Sequence, residues 1–238
     1  MVGSLVSGCA GGMPLMHPAH VLPPGNVTVG AGVAGQVGGV SLTTSSGSKN
    51  ALTAEELSLA PGVAPWANGR IGIAGDNEAS LTYSGRSLRL GVRHAFPLGK
   101  LHLSAELGGN AVLPRTRSDD EVTQAFGGGA DIPVLLGWTS DAELYSVWGG
   151  PRAGFNLLSG QVLPSLVDNA DPAGDPIPFN GTTWSVGGVV GARVGFRTFH
   201  AVLEMGVAYV RADGTFGEVE VGFDQLVITP GGAFNVSF

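Results

Sequence analysis

From residue 26 to the C-terminus the sequence alternates, one residue apolar and the next small or polar. A β-strand sends successive side chains to opposite faces, so a period of two describes a sheet with two different faces. Ten segments obey it. The first sets Val27, Val29, Ala31 and Val33 against Thr28, Gly30, Gly32 and Gln36. The second, about 56–74, sets Leu57, Leu59, Val63, Ile71 and Ile73 against Ser58, Trp66, Asn68, Arg70 and Gly72. Pro61 and Pro65 weaken it, because proline has no ladder donor. Segments 79–84, 87–96, 100–113, 132–139, 143–155, 183–196, 199–210 and 226–238 continue the pattern. The fifth is the cleanest, with Leu101, Leu103, Ala105 and Leu107 opposing His102, Ser104, Glu106, Gly108 and Asn110.

Which face is inside follows from the charges. Within these segments no Asp, Glu, Lys or Arg falls on the apolar face, apart from Glu143 at a turn. The charged face also carries many of the glycines, as a crowded interior requires. A soluble barrel would be arranged the other way. The large aliphatic and aromatic side chains therefore face lipid, and the small and charged ones face a lumen. Composition agrees. Only 13% of residues are charged, about half the ~25% of a soluble domain. No run of 18 apolar residues offers a membrane helix. The expected fold is all-β: a single antiparallel up-and-down transmembrane β-barrel over 26–238. About ten strands are expected; eight or twelve stay open if the second segment or a long connection is misread.

The connections alternate in length. The gaps 38–55, 114–131, 156–182 and 211–225 are long, while 75–78, 97–99, 140–142 and 197–198 are short; the gap at Gly85 breaks the rule. Long outer loops and short inner turns are the pattern of membrane barrels. Aromatic side chains on the apolar face form two girdles. Phe96, Trp138, Tyr145, Phe196, Phe199 and Phe238 lie beside the short turns, and Tyr83, Phe155, Trp184 and Tyr209 beside the long loops. Phe234 is nearer mid-strand.

The chain ends Phe234-Asn235-Val236-Ser237-Phe238. A terminal Phe preceded by apolar residues at alternate positions resembles the assembly signal of small Gram-negative outer-membrane β-barrel proteins. That resemblance covers about 26–238. It implies an outer-membrane location, contact with membrane lipid and lipopolysaccharide, and recognition of Phe234, Val236 and Phe238 by the barrel assembly machinery. At the other end, Val6-Ser7-Gly8-Cys9 resembles a lipoprotein lipobox, which implies acylation at Cys9. Residues 1–25 read as an export-signal remnant with this lipobox and a Pro-rich linker. His17 and His20 lack a third ligand, so no metal site is expected.

The lumen face carries Arg70, Arg89, Arg93, Arg152, Arg193, Glu106 and Glu204, with His102 and His200. Five arginines against two glutamates make an expected basic interior inside an acidic protein of net charge −7. An Arg-x-Gly-x-Arg pair followed by His-x-x-x-Glu occurs twice, at Arg89/Arg93 with His102/Glu106 and at Arg193/Arg197 with His200/Glu204. Closing the fourth and fifth segments at Phe96–Leu101 sets Glu106 opposite Gly91 and diagonal to Arg89 and Arg93. The same logic sets Glu204 diagonal to Arg193. The expectation is a structural Arg–Glu network filling a narrow barrel, with a basic, anion-guiding constriction as the alternative.

Other classes are disfavoured. Two lysines and an acidic balance argue against a nucleic-acid partner. One cysteine excludes an internal disulfide. No histidine falls in a long connection, so an enzyme at the rim would lack the usual general base. The expected role is non-enzymatic: a monomeric structural or surface-interaction barrel acting through its long loops, without a cofactor. A narrow anion-favouring pore is the first alternative, and a rim enzyme the second.

Overall fold

A computed structural model describes residues 13–41, 49–59, 61–85, 87–113, 124–140, 144–171, 173–196 and 198–238. Cys9 lies outside them. Ten strands occur in chain order: β1 (Val27–Ser41), β2 (Gly62–Ile73), β3 (Asn77–Ser84), β4 (Ser87–Leu98), β5 (Leu101–Val112), β6 (Gln124–Thr139), β7 (Tyr145–Val162), β8 (Ile177–Phe196), β9 (Phe199–Phe216) and β10 (Val219–Ser237). Each pairs antiparallel with its neighbours, and β10 returns to β1 to close the barrel. At the seam Phe238 N donates to Val27 O at 2.8 Å, and Val27 N to Phe238 O at 3.2 Å. Closure leaves no sheet edge unpaired, the condition for strands in a medium without water.

The outward face is apolar through the middle of the wall. Leu203 is 70% exposed, Phe234 60% and Phe238 74%. Side chains this large and apolar require lipid rather than water as their surroundings. The barrel therefore spans a membrane. Phe199 and Phe234 stack with ring centroids 5.6 Å apart on this face, and Trp184 and Tyr209 pair at 5.5 Å near the other boundary.

The structure corrects several expected boundaries. Residues 49–58 form a helix, α1 (Lys49–Ser58), so the second strand starts at Gly62 rather than near 56. Leu57 and Leu59 satisfied a period of two by coincidence. Ala51, Ala54 and Leu57 repeat every three residues and are buried together, as a helix face demands. Pro61 then prevents the helix from continuing. The span 211–225 is not a loop. β9 and β10 run on to a two-residue turn at Gly217-Glu218, where Gly217 has φ +59°. β6, β7 and β8 also extend well into the expected loops 114–131 and 156–182.

These extensions went unread because the two faces exchange chemistry above the membrane. Within the bilayer β9 points Leu203, Met205 and Val207 outward and Glu204 inward. Beyond it the outward residues are Arg211 and Asp213, an exposed pair 3.0 Å apart. The inward ones are Val210, Ala212 and Phe216, all buried. Outside the barrel, water has replaced lipid. Inside, an apolar cap has replaced the polar lumen. The cap is α1, with Ala54 and Leu57 packed against Leu158, Val162, Phe179, Phe216 and Phe223. Thr53 Oγ1 donates to Leu166 O at 2.9 Å, and Asp168 N to Asn50 Oδ1 at 2.7 Å, which ties the helix to the β7–β8 connection.

The inversion can be tested on one face of two strands. Leu203→Arg, midway between the girdle residues Phe199 and Tyr209, is expected to destabilise the barrel by ~2–4 kcal/mol, while Val219→Arg at the tip of β10 costs ~0–1 kcal/mol. Urea unfolding in lipid vesicles measures both.

Candidate functional site: an occupied lumen

The barrel interior holds part of its own chain. Residues 13–25, expected as a linker outside the fold, enter at the short-turn end and climb to mid-barrel. Leu15, Met16, His17 and Ala19 are at most 2% exposed. This plug has no regular secondary structure, so its main-chain polar groups need partners from the wall.

The wall supplies them in layers. At the entrance the plug meets β2 edge-on: Gly25 N donates to Gly72 O, and Gly72 N to Asn26 O, both at 3.0 Å. A Cβ on Gly72 would lie 2.1 Å from Pro23 O, so only glycine admits the chain there. One layer up, Leu22 N donates to Glu78 Oε2 at 3.0 Å. Arg93 donates to the carbonyls of Pro18 and His20. At mid-barrel Glu204 accepts from Leu15 N at 2.6 Å, Met16 N at 2.9 Å and Trp148 Nε1 at 3.0 Å. Trp66 Nε1 donates to Pro14 O at 3.3 Å, and Arg152 Nη1 to Met13 O at 2.7 Å. Around this level Leu15, Met16 and Ala19 join Trp66, Leu135, Trp148 and Val202 in a buried apolar cluster.

Both plug histidines take part. His17 Nδ1 lies 2.6 Å from Arg93 Nη1, which is a donor. The same Nδ1 is 3.3 Å from Pro18 O, and Nε2 sits 3.1 Å from Glu106 Oε2. His20 Nδ1 is 2.9 Å from Thr139 Oγ1, and its Nε2 is 3.3 Å from Arg193 Nη2. Its ring stands 5.7 Å from that of His102.

The residues expected on the lumen face do face inward. Arg70, Arg89, Arg93, Arg193, Glu106, Glu204 and His200 are buried, and the Arg152 side chain is 22% exposed. Two acids were missed. Glu78 was read as a turn residue and Asp131 as part of a loop. Glu78 takes Arg70 Nη1 at 3.4 Å and Arg93 Nη2 at 2.7 Å. Asp131 grips Arg89 through Nε at 2.7 Å and Nη2 at 3.2 Å, and takes Arg152 Nε at 2.8 Å. Arg89 Nη1 also reaches Glu106. Among the described residues five lumen guanidiniums thus face four carboxylates, and the expected basic, anion-guiding interior becomes nearly balanced. Parity would have found both acids, since Glu78 shares a strand face with Ser80 and Asp131 with Leu135.

The register also needs a correction. Arg93 lies directly opposite Glu106, not diagonal to it, because the turn is Gly99-Lys100. Gly99 has φ +70° there. In β8–β9 the expected register is observed, with Gly191 opposite Glu204. Even so, Glu204 gives its oxygens to the plug, and Arg193 Nη2 reaches Ser146 Oγ at 3.2 Å.

Above the plug, between Met13 and the cap, lies a cavity of about 200 Å³ bordered by Leu59, Asn110, Asp131, Arg152 and Asn156. That is room for several waters. The plug, not the cap, is what fills the lumen at membrane depth.

Two variants test this arrangement. Glu78→Ala strands two buried guanidiniums and is expected to cost ~3–5 kcal/mol in denaturant unfolding. Gly72→Val blocks the entrance layer. It is expected to make a cysteine at Leu22, otherwise 7% exposed, reactive to a water-soluble maleimide in a Cys9→Ser background.

No protein-family model matches the chain, and no curated protein matches it. Among solved structures it is similar to Neisserial surface protein A, at 12% identity and a TM-score of 0.34, over 90% of this chain and 96% of that one. It is also similar to Ail, the attachment invasion locus protein of Yersinia pestis, at 10% identity and a TM-score of 0.32, over 91% and 100%. A monoaromatic hydrocarbon channel, CymD, matches at 9% identity and a TM-score of 0.28, over 91% and 89%. These similarities are too loose to carry a functional assignment.

Proposed function

We propose that the chain is an integral outer-membrane β-barrel of a Gram-negative bacterium that is closed in its resting state and works through its long-connection end. The observation that carries the reading is the plug. A lumen occupied from Met13 to Gly25 obstructs ion passage at membrane depth, and in this reading activity belongs to the exposed rim. That rim is a built surface: α1 and the β7–β8 connection are held by hydrogen bonds over an apolar cap. The outer-membrane location is supported by the closed antiparallel wall, its apolar belt and the terminal Phe234-Asn235-Val236-Ser237-Phe238. In this reading membrane lipid and lipopolysaccharide surround the belt, and Phe234, Val236 and Phe238 are offered to the assembly machinery. The near balance of lumen charge removes the ground for an anion-selective pore.

The full-length protein, refolded into a planar bilayer, is expected to give no steady conductance while showing a β-sheet circular dichroism spectrum. Stable single-channel steps from the unmodified chain would overturn the closed-barrel reading.

A further inference from the structure

The wall holds the plug mainly by its main chain. Among the described residues, seven main-chain groups between Met13 and Leu22 bond to wall side chains. Carboxylates of Glu204 and Glu78 accept plug N–H groups, while Arg93, Arg152 and Trp66 donate to plug carbonyls. This chemistry recognises a peptide largely through its main chain, because every residue but proline offers the same donor and acceptor, and the turn at Met16, with φ 51°, brings two successive N–H groups onto Glu204. Side-chain selection comes from the apolar pocket around Leu15, Met16 and Ala19, from His17 beside Glu106, and from His20 between Thr139 and Arg193.

The wall is also complete without the plug. The Arg70–Glu78–Arg93 cluster and the Glu106–Arg89–Asp131–Arg152 cluster are formed entirely by strand residues. Withdrawing the plug leaves those two clusters paired, while Glu204 keeps Trp148 Nε1 and gives up the N–H groups of Leu15 and Met16, which an incoming peptide or water must replace. The space vacated is the part of the lumen that residues 13–25 fill. It continues into the cavity beneath the cap.

We propose that the lumen is a binding channel for a peptide held in an irregular, main-chain-bonded conformation, and that residues 13–25 are its occupant in cis. The proposal rests on the closed-barrel reading and adds to it a ligand class and a conducting state. A peptide in trans takes the same groups: a pair of successive N–H donors on Glu204, two carbonyls on Arg93, and an apolar pair between Trp66 and Trp148.

The test leaves the wall untouched and unseats the plug in the full-length chain. Leu15→Asp with Met16→Asp places two carboxylates beside Glu204 in a site where both residues are at most 2% exposed. Buried like charges without partners are strongly unfavourable, so the bilayer conductance of this variant should exceed that of the unmodified protein at least ~10-fold. A synthetic peptide of residues 13–26, added from the short-turn side, should then lower the current at least ~10-fold through the main-chain hydrogen bonds it restores. The same peptide carrying both Asp substitutions should leave the current unchanged. A variant with native sheet content that stays silent overturns the proposal, and so does an open variant that the peptide fails to block. If the double variant does not fold, Glu204→Gln replaces it, keeping the shape of the side chain and losing its charge. Intermittent openings blocked by the peptide support the proposal, and their absence overturns it. Steady current from the unmodified protein would instead overturn the closed-barrel reading.

Discussion

A main chain without a sheet partner, buried in a barrel, must have every amide and carbonyl met by something else. The interior of this protein is organised around that requirement. Residues 13–25 cross the lumen in no regular conformation, so the strands bring acids to their N–H groups and guanidiniums or indoles to their carbonyls. Those charges are themselves deeply buried, and they are tolerable only because they pair. Glu78 lies between two arginines and Asp131 between two more. Plug and wall are therefore one polar network. The apolar cluster of Leu15, Met16, Trp66, Leu135 and Trp148 anchors side chains within it.

The same wall meets two environments along its length, and its side chains follow them. At membrane depth the apolar residues point out to lipid and the polar ones in to the plug. Past the girdle of Tyr83, Phe155, Trp184 and Tyr209 the sides exchange roles. Arg211 and Asp213 face water, while Phe216 and Phe223 turn inward under α1. The strand itself is continuous and its parity never slips; only the solvents on either side change. The barrel is closed twice as a result, by a polar plug held through its main chain and by an apolar cap held through its side chains. The two closures differ in what would release them. Removing charge complementarity at Glu204 bears on the plug alone. Disturbing the packing of Leu57 or Phe179 bears on the cap alone.

How much of this was legible depended on whether the signal was local. Period-two alternation within the bilayer is local, and it revealed ten strands, their outward faces and most lumen charges. It failed where both faces changed character together, as at 211–225. There the charges Arg211, Asp213, Glu218, Glu220 and Asp224 read as a loop. It also failed at 56–59, where Leu57 and Leu59 satisfied two periods at once. Glu78 and Asp131 were missed because each sits at the end of a clean segment, beside a turn or a proline. Pro133 in β6 and Pro65 in β2 interrupted the reading without interrupting the wall.

The sequence by itself determined the transmembrane wall in outline: about ten strands, with eight or twelve left open, and the face that meets lipid follow from alternation, and alternation is a property of neighbouring residues. Only the tertiary structure decided what fills that wall. Met13–Gly25 has no periodicity, and its partners lie far along the chain, as Leu15 and Glu204 show at a separation of 189 positions. Nothing in a short window records such a contact. The charge balance of the lumen was hidden for the same reason. An arginine on a strand declares which face it occupies, but whether it lines an open basic pore or holds a carboxylate and a carbonyl depends on what the closed barrel brings opposite it.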